Sequence, residues 1–332
     1  MQRATKNTTV FQCLLCGEPR EQLAHGRRGA VCESCALEAL RVLRRPTAPP
    51  QDPEQALLKN LHLPTLFPAA RKLARVLSRP SPLIPPSRLE SQSHRHHVLV
   101  AGPSGCGKTR LALALREVAP TAIVDVAQIT GSGHSGVPLT TVARALLREA
   151  EGEQARAERG IIVLDNLDCW LQAPSDPTRR SLWWELLQLL EGSNIVSGGE
   201  SVLKTDDVLF IGLVRTRTPP PTSELVPYLQ NLGIPDALLG RTPVKIALPQ
   251  PDAVALQALL TDEIHPLLKE FGVTKSARTL LAERAAALNL GAWGVHHVLR
   301  ELDLLLDRET HRPKRVDRRY LERRLDAPMT AL

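Results

Sequence analysis

Two groups of residues in this chain have the types and spacing to do chemistry. The first is a set of four cysteines, Cys13-Leu14-Leu15-Cys16 and Cys32-Glu33-Ser34-Cys35, with fifteen residues between the pairs. Each CxxC turn aims two thiolates at one point, and two such turns complete a tetrahedron, which is the spacing of a zinc site. With Cys13, Cys16, Cys32 and Cys35 filling all four positions, no coordinated water is left to activate, so the expected role is structural. A redox pair would need one CxxC only. The second group is Gly102-Pro103-Ser104-Gly105-Cys106-Gly107-Lys108-Thr109-Arg110. An apolar run, Val98 to Ala101, leads into it and a helical run, Leu111 to Leu115, leaves it. Strand, glycine-rich turn and helix in that order are the context of a P-loop. Glycines let successive backbone N–H groups point inward at an anion, and the helix N-terminus adds its positive dipole end. The expected ligand is a nucleoside triphosphate such as ATP, with Lys108 reaching the β/γ-phosphates and the Thr109 hydroxyl on Mg²⁺.

A third feature lies further along. Gly160-Ile161-Ile162-Val163-Leu164-Asp165 is an apolar strand ending in acid, and Asp165 is the expected second magnesium residue beside Thr109. At the next position related ATPases place a glutamate that polarises the attacking water. Here it is Asn166, whose amide cannot accept a proton at neutral pH. Losing a general base typically costs about 10²–10⁴-fold in rate. Asp168, two residues on, is the available substitute. P-loop and Asp165 therefore provide the parts of an ATPase, while Asn166 leaves hydrolysis itself open.

The elements that must position these groups read as follows. Residues 11–44 form a small four-cysteine unit closed by a helix from Ala36 to Leu43, with Leu14, Leu15, Leu23, Val31, Leu37 and Leu40 available to pack around the metal; more apolar side chains than the unit can bury would mark a partner surface. Residues 45–92 are a linker rich in proline (Pro46, Pro49, Pro50, Pro53, then Pro80, Pro82, Pro85, Pro86) around a helical segment near Leu57–Leu77 that breaks at Pro64 and Pro68. Residues 93–250 alternate apolar strands with helices, predicting an α/β fold, a parallel sheet flanked by helices, with strands at Val98–Ala101, Ala122–Val126, Ile161–Leu164, Val208–Leu213 and Val244–Ala247. Residues 251–326 read as a small, all-helical C-terminal domain. The His94-Arg95-His96-His97 cluster lacks helical spacing and enters a strand, so a metal is not expected there.

The chain has 332 residues, 43% hydrophobic and 23% charged, ordinary values for a globular protein, with aromatics at only 3%. No long apolar run predicts a membrane span and the first ten residues lack a signal-peptide core, so cytoplasm is the expected location. The net charge of +7 owes much to Arg308, Arg312, Lys314, Arg315, Arg318, Arg319, Arg323 and Arg324. These alternate with Asp307, Glu309, Asp317 and Glu322, the pattern of a solvated helix face, and no aromatic platform accompanies them; nucleic acid is not the expected partner.

Four-cysteine unit, P-loop, acid motif and helical tail, in that order, resemble the ClpX family of AAA+ unfoldases, whose members carry an N-terminal zinc-binding domain. Trp184-Glu185-Leu186-Leu187-Gln188-Leu189-Leu190-Glu191-Gly192 resembles the family's helix after the acid motif. Ile234 to Val244 resembles the segment that holds its arginine finger. The resemblance implies that Arg241 contacts a γ-phosphate bound on a neighbouring subunit, hence a ring, in the family a hexamer, built from copies of this chain or mixed with a ClpX-type relative. It also implies a protein substrate or adaptor recruited through the zinc domain.

Departures from the family are several. The arginine of its Gly-Ala-Arg sensor falls on Trp293, and the aromatic of its pore loop on His134 in Gly133-His134-Ser135-Gly136. Val214 to Leu232 is short where the family has a long insertion, and no Ile-Gly-Phe tripeptide is present, so docking to ClpP is not expected. The adenine-side segment is unrecognisable between Leu57 and Arg88, and Arg215 and Thr216 both remain candidates for the sensor after the fourth strand. The combined expectation is an ATP-, Mg²⁺- and zinc-binding ClpX-like protein, slow or defective in hydrolysis, acting as an assembly or regulatory subunit. One alternative is a working unfoldase that uses Asp168 or another acid as base. Another is a nucleic-acid-associated AAA+ switch that uses the basic tail.

Overall fold

The structure is a computed structural model that describes residues 11–20, 22–26, 29–43, 52–78, 95–129, 139, 141–171, 177–197, 201–307, 313 and 315–325. Five parallel strands make one sheet in the spatial order Val244–Ala247, Val98–Pro103, Leu209–Thr216, Ile161–Asp165, Thr121–Asp125. These are the five strands expected from the sequence, displaced by a few residues at their ends. The fourth runs on to Thr216, bringing Arg215 and Thr216 level with Gly102 and Pro103 at the carboxyl edge.

Period-two alternation divides the sheet's side chains between two cores. Leu99, Ala101, Ile162, Leu164, Phe210 and Val214 face the helices Thr141–Glu149, Pro177–Leu190 and Asp236–Arg241. Val98, Val100, Ile161, Val163, Leu209, Ile211 and Leu213 face Lys108–Ala114 and the helical segment before the P-loop. Both faces are apolar because both are covered, as parallel sheets require. Aromatics are few, and the Trp170–Trp183 edge-to-face pair, centroids 5.2 Å apart, carries much of the aromatic bulk of the first core.

The helical segment expected near Leu57–Leu77 begins earlier, at Pro53, and consists of two helices. Pro53 opens the helix Pro53–Lys59, where its missing N–H costs nothing, and Asp52 Oδ1 caps it by accepting from Glu54 N at 3.0 Å. Pro68 occupies the first turn of Phe67–Leu77 and so does not interrupt it. The break falls at residues 60–66, around Pro64 as expected, and Leu57, Leu61, Leu63, Leu66 and Leu73 are buried against the sheet. Beyond the last strand, helices including Lys275–Ala287, Ala292–Asp307 and Arg318–Leu325 pack around Leu256, Leu268, Leu281, Leu302 and Leu321. Arg315, Arg318, Arg319, Arg323 and Arg324 are exposed, and Arg318 pairs with Glu322 and Glu283, as a solvated face should. Among the described residues no helix is long and apolar enough to cross a membrane.

His97, from the histidine cluster, is a core residue. Its Nε2–H donates to the Leu190 carbonyl (2.9 Å), its Nδ1 accepts from Phe210 N (3.2 Å), and its ring stands edge-on to Phe210. Both nitrogens are used, so none is left for a metal. Burial pushes its pKa down to about 4. The neutral ring is the folded form, so the stabilisation is complete above the ordinary imidazole pKa and is lost as pH falls towards the folded value. Between about pH 6.5 and pH 4 this single group should remove about 3 kcal/mol of stability. Urea midpoints measured across that window will fall steeply in the native chain and less steeply in His97→Gln, which keeps a donor and an acceptor without the proton.

Candidate functional site

The P-loop cleft has a volume of about 350 Å³ and is lined by Ser104, Gly105, Gly107, Lys108, Thr109, Arg110, Asp165, Asn166, Arg215, Ala292, Trp293 and His296. The sheet and the helix Lys108–Ala114 put these groups together. Gly105 (φ +72°) and Gly107 (φ +97°) hold left-handed backbone that the tight turn requires. A Cβ at Gly105 would also collide with the Leu290 carbonyl, and Gly105 O accepts from Ala292 N at 2.9 Å, so the loop rests directly on the start of the helix Ala292–Asp307. Lys108 is buried, its ammonium donating to the carbonyls of Gly102 and Pro103 at 2.8 Å each. Cys106 is fully buried beneath the loop, and burial pushes its thiol pKa up.

Thr109 Oγ1 donates to Asp165 Oδ2 at 3.0 Å, so the two expected magnesium residues touch across the P-loop and the third strand. Asn166 follows at φ +58°, a conformation asparagine tolerates better than most L-residues. Its Nδ2 donates to Asp125 Oδ1 at 3.1 Å, and Asp125 also caps the turn Val126–Gln128. Asp168 is equally committed. Its Oδ1 accepts from Arg215 N at 2.9 Å and its Oδ2 meets the Arg215 guanidinium at 3.3 Å. Arg215 faces the cleft, whereas Thr216 is buried with its hydroxyl on Thr218 O. Of the two sensor candidates, only Arg215 lines the P-loop cleft. Among the described residues lining this cleft, Asp165 is the sole carboxylate.

A mostly apolar pocket of about 470 Å³ adjoins the cleft, lined by His62, Leu63, Leu66, Leu259, Ile264, His265 and Val295 among others. Gly107, Arg110, Ala292 and His296 border both. The sequence reading did not find this pocket. Its walls come from the turn at residues 60–66 and from the helical region 259–296, which no local motif connects. The apolar pair Leu63 and Leu66 ahead of a proline-started helix was the available signal.

Arg241 is elsewhere. It closes the helix Asp236–Arg241 in a separate pocket with Arg95, His96, Glu191 and Pro243, donating from Nε to Glu191 Oε1 at 2.7 Å, through Nη2 to the same oxygen, and from Nη1 to Ala237 O at 3.0 Å. Residues 133–136, with His134, lie outside the described residues.

In the N-terminal unit the four Sγ atoms of Cys13, Cys16, Cys32 and Cys35 all lie within 4.8 Å of one another, and those of Cys16 and Cys32 are 3.9 Å apart. Tetrahedral ligation at about 2.3 Å per bond needs sulfurs about 3.8 Å apart, so the cluster fits zinc. The backbone N–H of Cys32, donating at 3.3 Å, leads the effects that pull the Cys13 thiol down to about 6; burial pushes Cys35 up. Leu23 and Val31 pack on the cysteines, but Leu14, Leu15 and Leu37 are exposed. The expectation that they surround the metal is corrected: a metal-centred unit this thin has no interior left for them.

Residues 98–223 match the family described as ATPase family associated with various cellular activities (AAA). Proteins named ClpX match nearly the whole chain. ATP-dependent Clp protease ATP-binding subunit ClpX 2 of Wolinella succinogenes is 26% identical over 88% of this chain and 89% of its own length. The ClpX of Porphyromonas gingivalis is 23% identical over 95% of this chain and 96% of its own. The chain thus carries an AAA domain and is similar over most of its length to ClpX proteins at low identity. The mitochondrial ATP-dependent clpX-like chaperone of Saccharomyces cerevisiae is similar over a shorter stretch, 38% identical across 30% of this chain and 21% of the yeast protein. Within this ClpX-like frame the Asn166–Asp125 and Asp168–Arg215 contacts set the chemistry of the cleft.

Proposed function

We propose that this chain is a ClpX-like AAA+ subunit that binds Mg-ATP and zinc, hydrolyses ATP slowly, and acts in a ring as an assembly or regulatory component. The observation that carries the reading is the state of the two candidate bases: Asn166 is an amide turned onto Asp125, and Asp168 is spent on Arg215. Lys108 and the loop N–H groups would hold the phosphates, and Thr109 with Asp165 would hold Mg²⁺, which supplies charge neutralisation at the phosphoryl group. The apolar pocket beside the cleft would take the base. Arg241, lying outside its own chain's cleft, suits a contact made across a subunit boundary, and release from Glu191 would be part of ring assembly. Zinc would be held by Cys13, Cys16, Cys32 and Cys35 in a unit whose exposed Leu14, Leu15 and Leu37 would meet a protein partner. The division into residues 11–44, 45–92, 93–250 and 251–326 belongs to the same reading, with the helices at 53–77 carried by the large unit.

The test is turnover of Mg-ATP by the native chain and by glutamate-bearing variants. Native turnover should lie about 10²–10⁴-fold below that of active relatives. Asn166→Glu alone should gain little. Its backbone would need the left-handed conformation, and its carboxylate would face Asp125. Asn166→Glu with Asp125→Asn removes the repulsion and should gain tenfold or more. Fast native hydrolysis that disappears in Lys108→Ala would overturn the slow-hydrolysis reading.

A further inference from the structure

Two helix ends meet in the pocket that holds Arg241. Glu191 directly follows the helix Pro177–Leu190, and Arg241 is the last residue of Asp236–Arg241. Side chains from other elements fix both ends. On the first helix the Leu189 carbonyl accepts from the buried Thr205 Oγ1 at 2.9 Å, and the Leu190 carbonyl accepts from the buried His97 Nε2 at 2.9 Å. On the second, the buried Thr242 hydroxyl donates to Leu238 O at 2.8 Å, and the Lys245 ammonium donates to the carbonyls of Leu239 (2.9 Å) and Thr242 (2.8 Å). The dipole at a helix C-terminus favours a cation such as Arg241 and disfavours a carboxylate. Glu191 therefore gains nothing from its own helix; what offsets its position is Arg241. The pocket has a volume of about 410 Å³, and among the described residues lining it Glu191 is the sole carboxylate, set against Arg95, Arg241 and the exposed His96.

Resting on the ring reading above, we infer that Glu191 is an assembly lock: a carboxylate of the chain itself that holds Arg241 where the terminal phosphate of a triphosphate bound to a second copy must come. The form of the contact suits a competitor that can be displaced. Arg241 Nε and Nη2 converge on one oxygen, Glu191 Oε1, instead of meeting two oxygens in a parallel fork. The side chains are 36% and 39% exposed, and an exposed pair of this kind contributes little. A terminal phosphoryl group brings about two negative charges and three acceptor oxygens, so it displaces the single carboxylate. A diphosphate lacks that group. Arg95 and His96 line the same pocket and add cationic groups on the side the anion approaches. Glu191 thus makes association of copies depend on a triphosphate in the neighbouring cleft.

The experiment is sedimentation velocity of the full, zinc-loaded chain with Mg-ADP and with a non-hydrolysable Mg-ATP analogue, on variants whose thermal unfolding matches the native chain. The native chain should associate with the analogue and not with Mg-ADP. Glu191→Gln keeps the shape and removes the charge, and the protein concentration at half-assembly with the analogue should fall about two- to fivefold. Arg241→Gln should associate more weakly than the native chain, and adding Glu191→Gln to it should give no gain, because the lock acts only through Arg241. A half-assembly concentration unchanged by Glu191→Gln, or lowered equally in the Arg241→Gln background, overturns the lock while leaving the ring in place. Native association as strong with Mg-ADP as with the analogue overturns it too. Native chain and Glu191→Gln both remaining monomeric at saturating analogue overturns the ring reading, and this inference with it.

Discussion

Chelating zinc will unfold residues 11–43 and leave the sheet and the C-terminal helices folded. The described core of the N-terminal unit consists of Cys13, Cys32 and Cys35, with Leu23 and Val31 packed at its edge. Its strands are two or three residues long, pairing as Phe11–Gln12 with Pro19–Arg20 and Ala24–Gly26 with Gly29–Val31. Such a unit cannot bury enough apolar surface to offset its own ordering entropy. A four-thiolate zinc site contributes about 10–16 kcal/mol in comparable peptides, far more than the unit's other contacts. Hydrogen exchange should therefore show protection at 11–43 collapsing on chelation while 98–307 is unchanged. Cys13→Ala should reproduce the collapse without chelator, since it removes one ligand and the acceptor for the Cys32 N–H. Zinc content measured alongside should fall from one ion per chain to nearly none. Protection of 11–43 that survives loss of the metal would show that zinc is not what folds this unit.

The parts of this molecule that the sequence made legible are those written in contiguous residues. Strands with both faces buried appear as unbroken apolar runs, so Val98–Ala101 and Ile161–Leu164 were readable, as were the glycine-lysine turn and the paired cysteines. Residues whose meaning depends on a distant partner were not. Nothing local says that Asn166 is bonded to Asp125, forty-one positions earlier, or that Asp168 is spent on Arg215. Asn166 as a missing base was a statement about one side chain; the structure turns it into a statement about a pair, and that changes which variant would restore hydrolysis. The apolar pocket was invisible for the same reason, since Leu66 and Val295 line it together only because the helix Ala292–Asp307 docks on Gly105. Leu14, Leu15 and Leu37 failed in the opposite direction: apolar residues near a metal site look like core until the unit proves too thin to contain one.

Lys108→Ala will lower the affinity for Mg-ATP by about 100-fold or more, the largest single-residue effect expected in the cleft. The ammonium of Lys108 is buried and stripped of most of its water, held by two carbonyls of its own loop. A desolvated charge in a low-dielectric groove interacts far more strongly with an incoming phosphate than a solvated one does, and much of its desolvation cost is already met by folding. Breaking two charge-assisted contacts to the phosphates at about 1.5–3 kcal/mol each accounts for the predicted loss. Because the same ammonium also ties Gly102 and Pro103 together, a weakened loop could produce a similar result, and Thr109→Val separates the two. Its hydroxyl bonds Asp165, not the loop carbonyls, so the loop should persist and metal-free ATP should bind as before. What Thr109→Val should lose is the gain in affinity on adding Mg²⁺. Fluorescent-nucleotide titrations with and without the metal, on variants whose thermal unfolding matches the native chain, will distinguish a phosphate-binding lysine from a loop strut. A Lys108→Ala chain that unfolds normally and still binds Mg-ATP at native affinity would remove the P-loop from the nucleotide site.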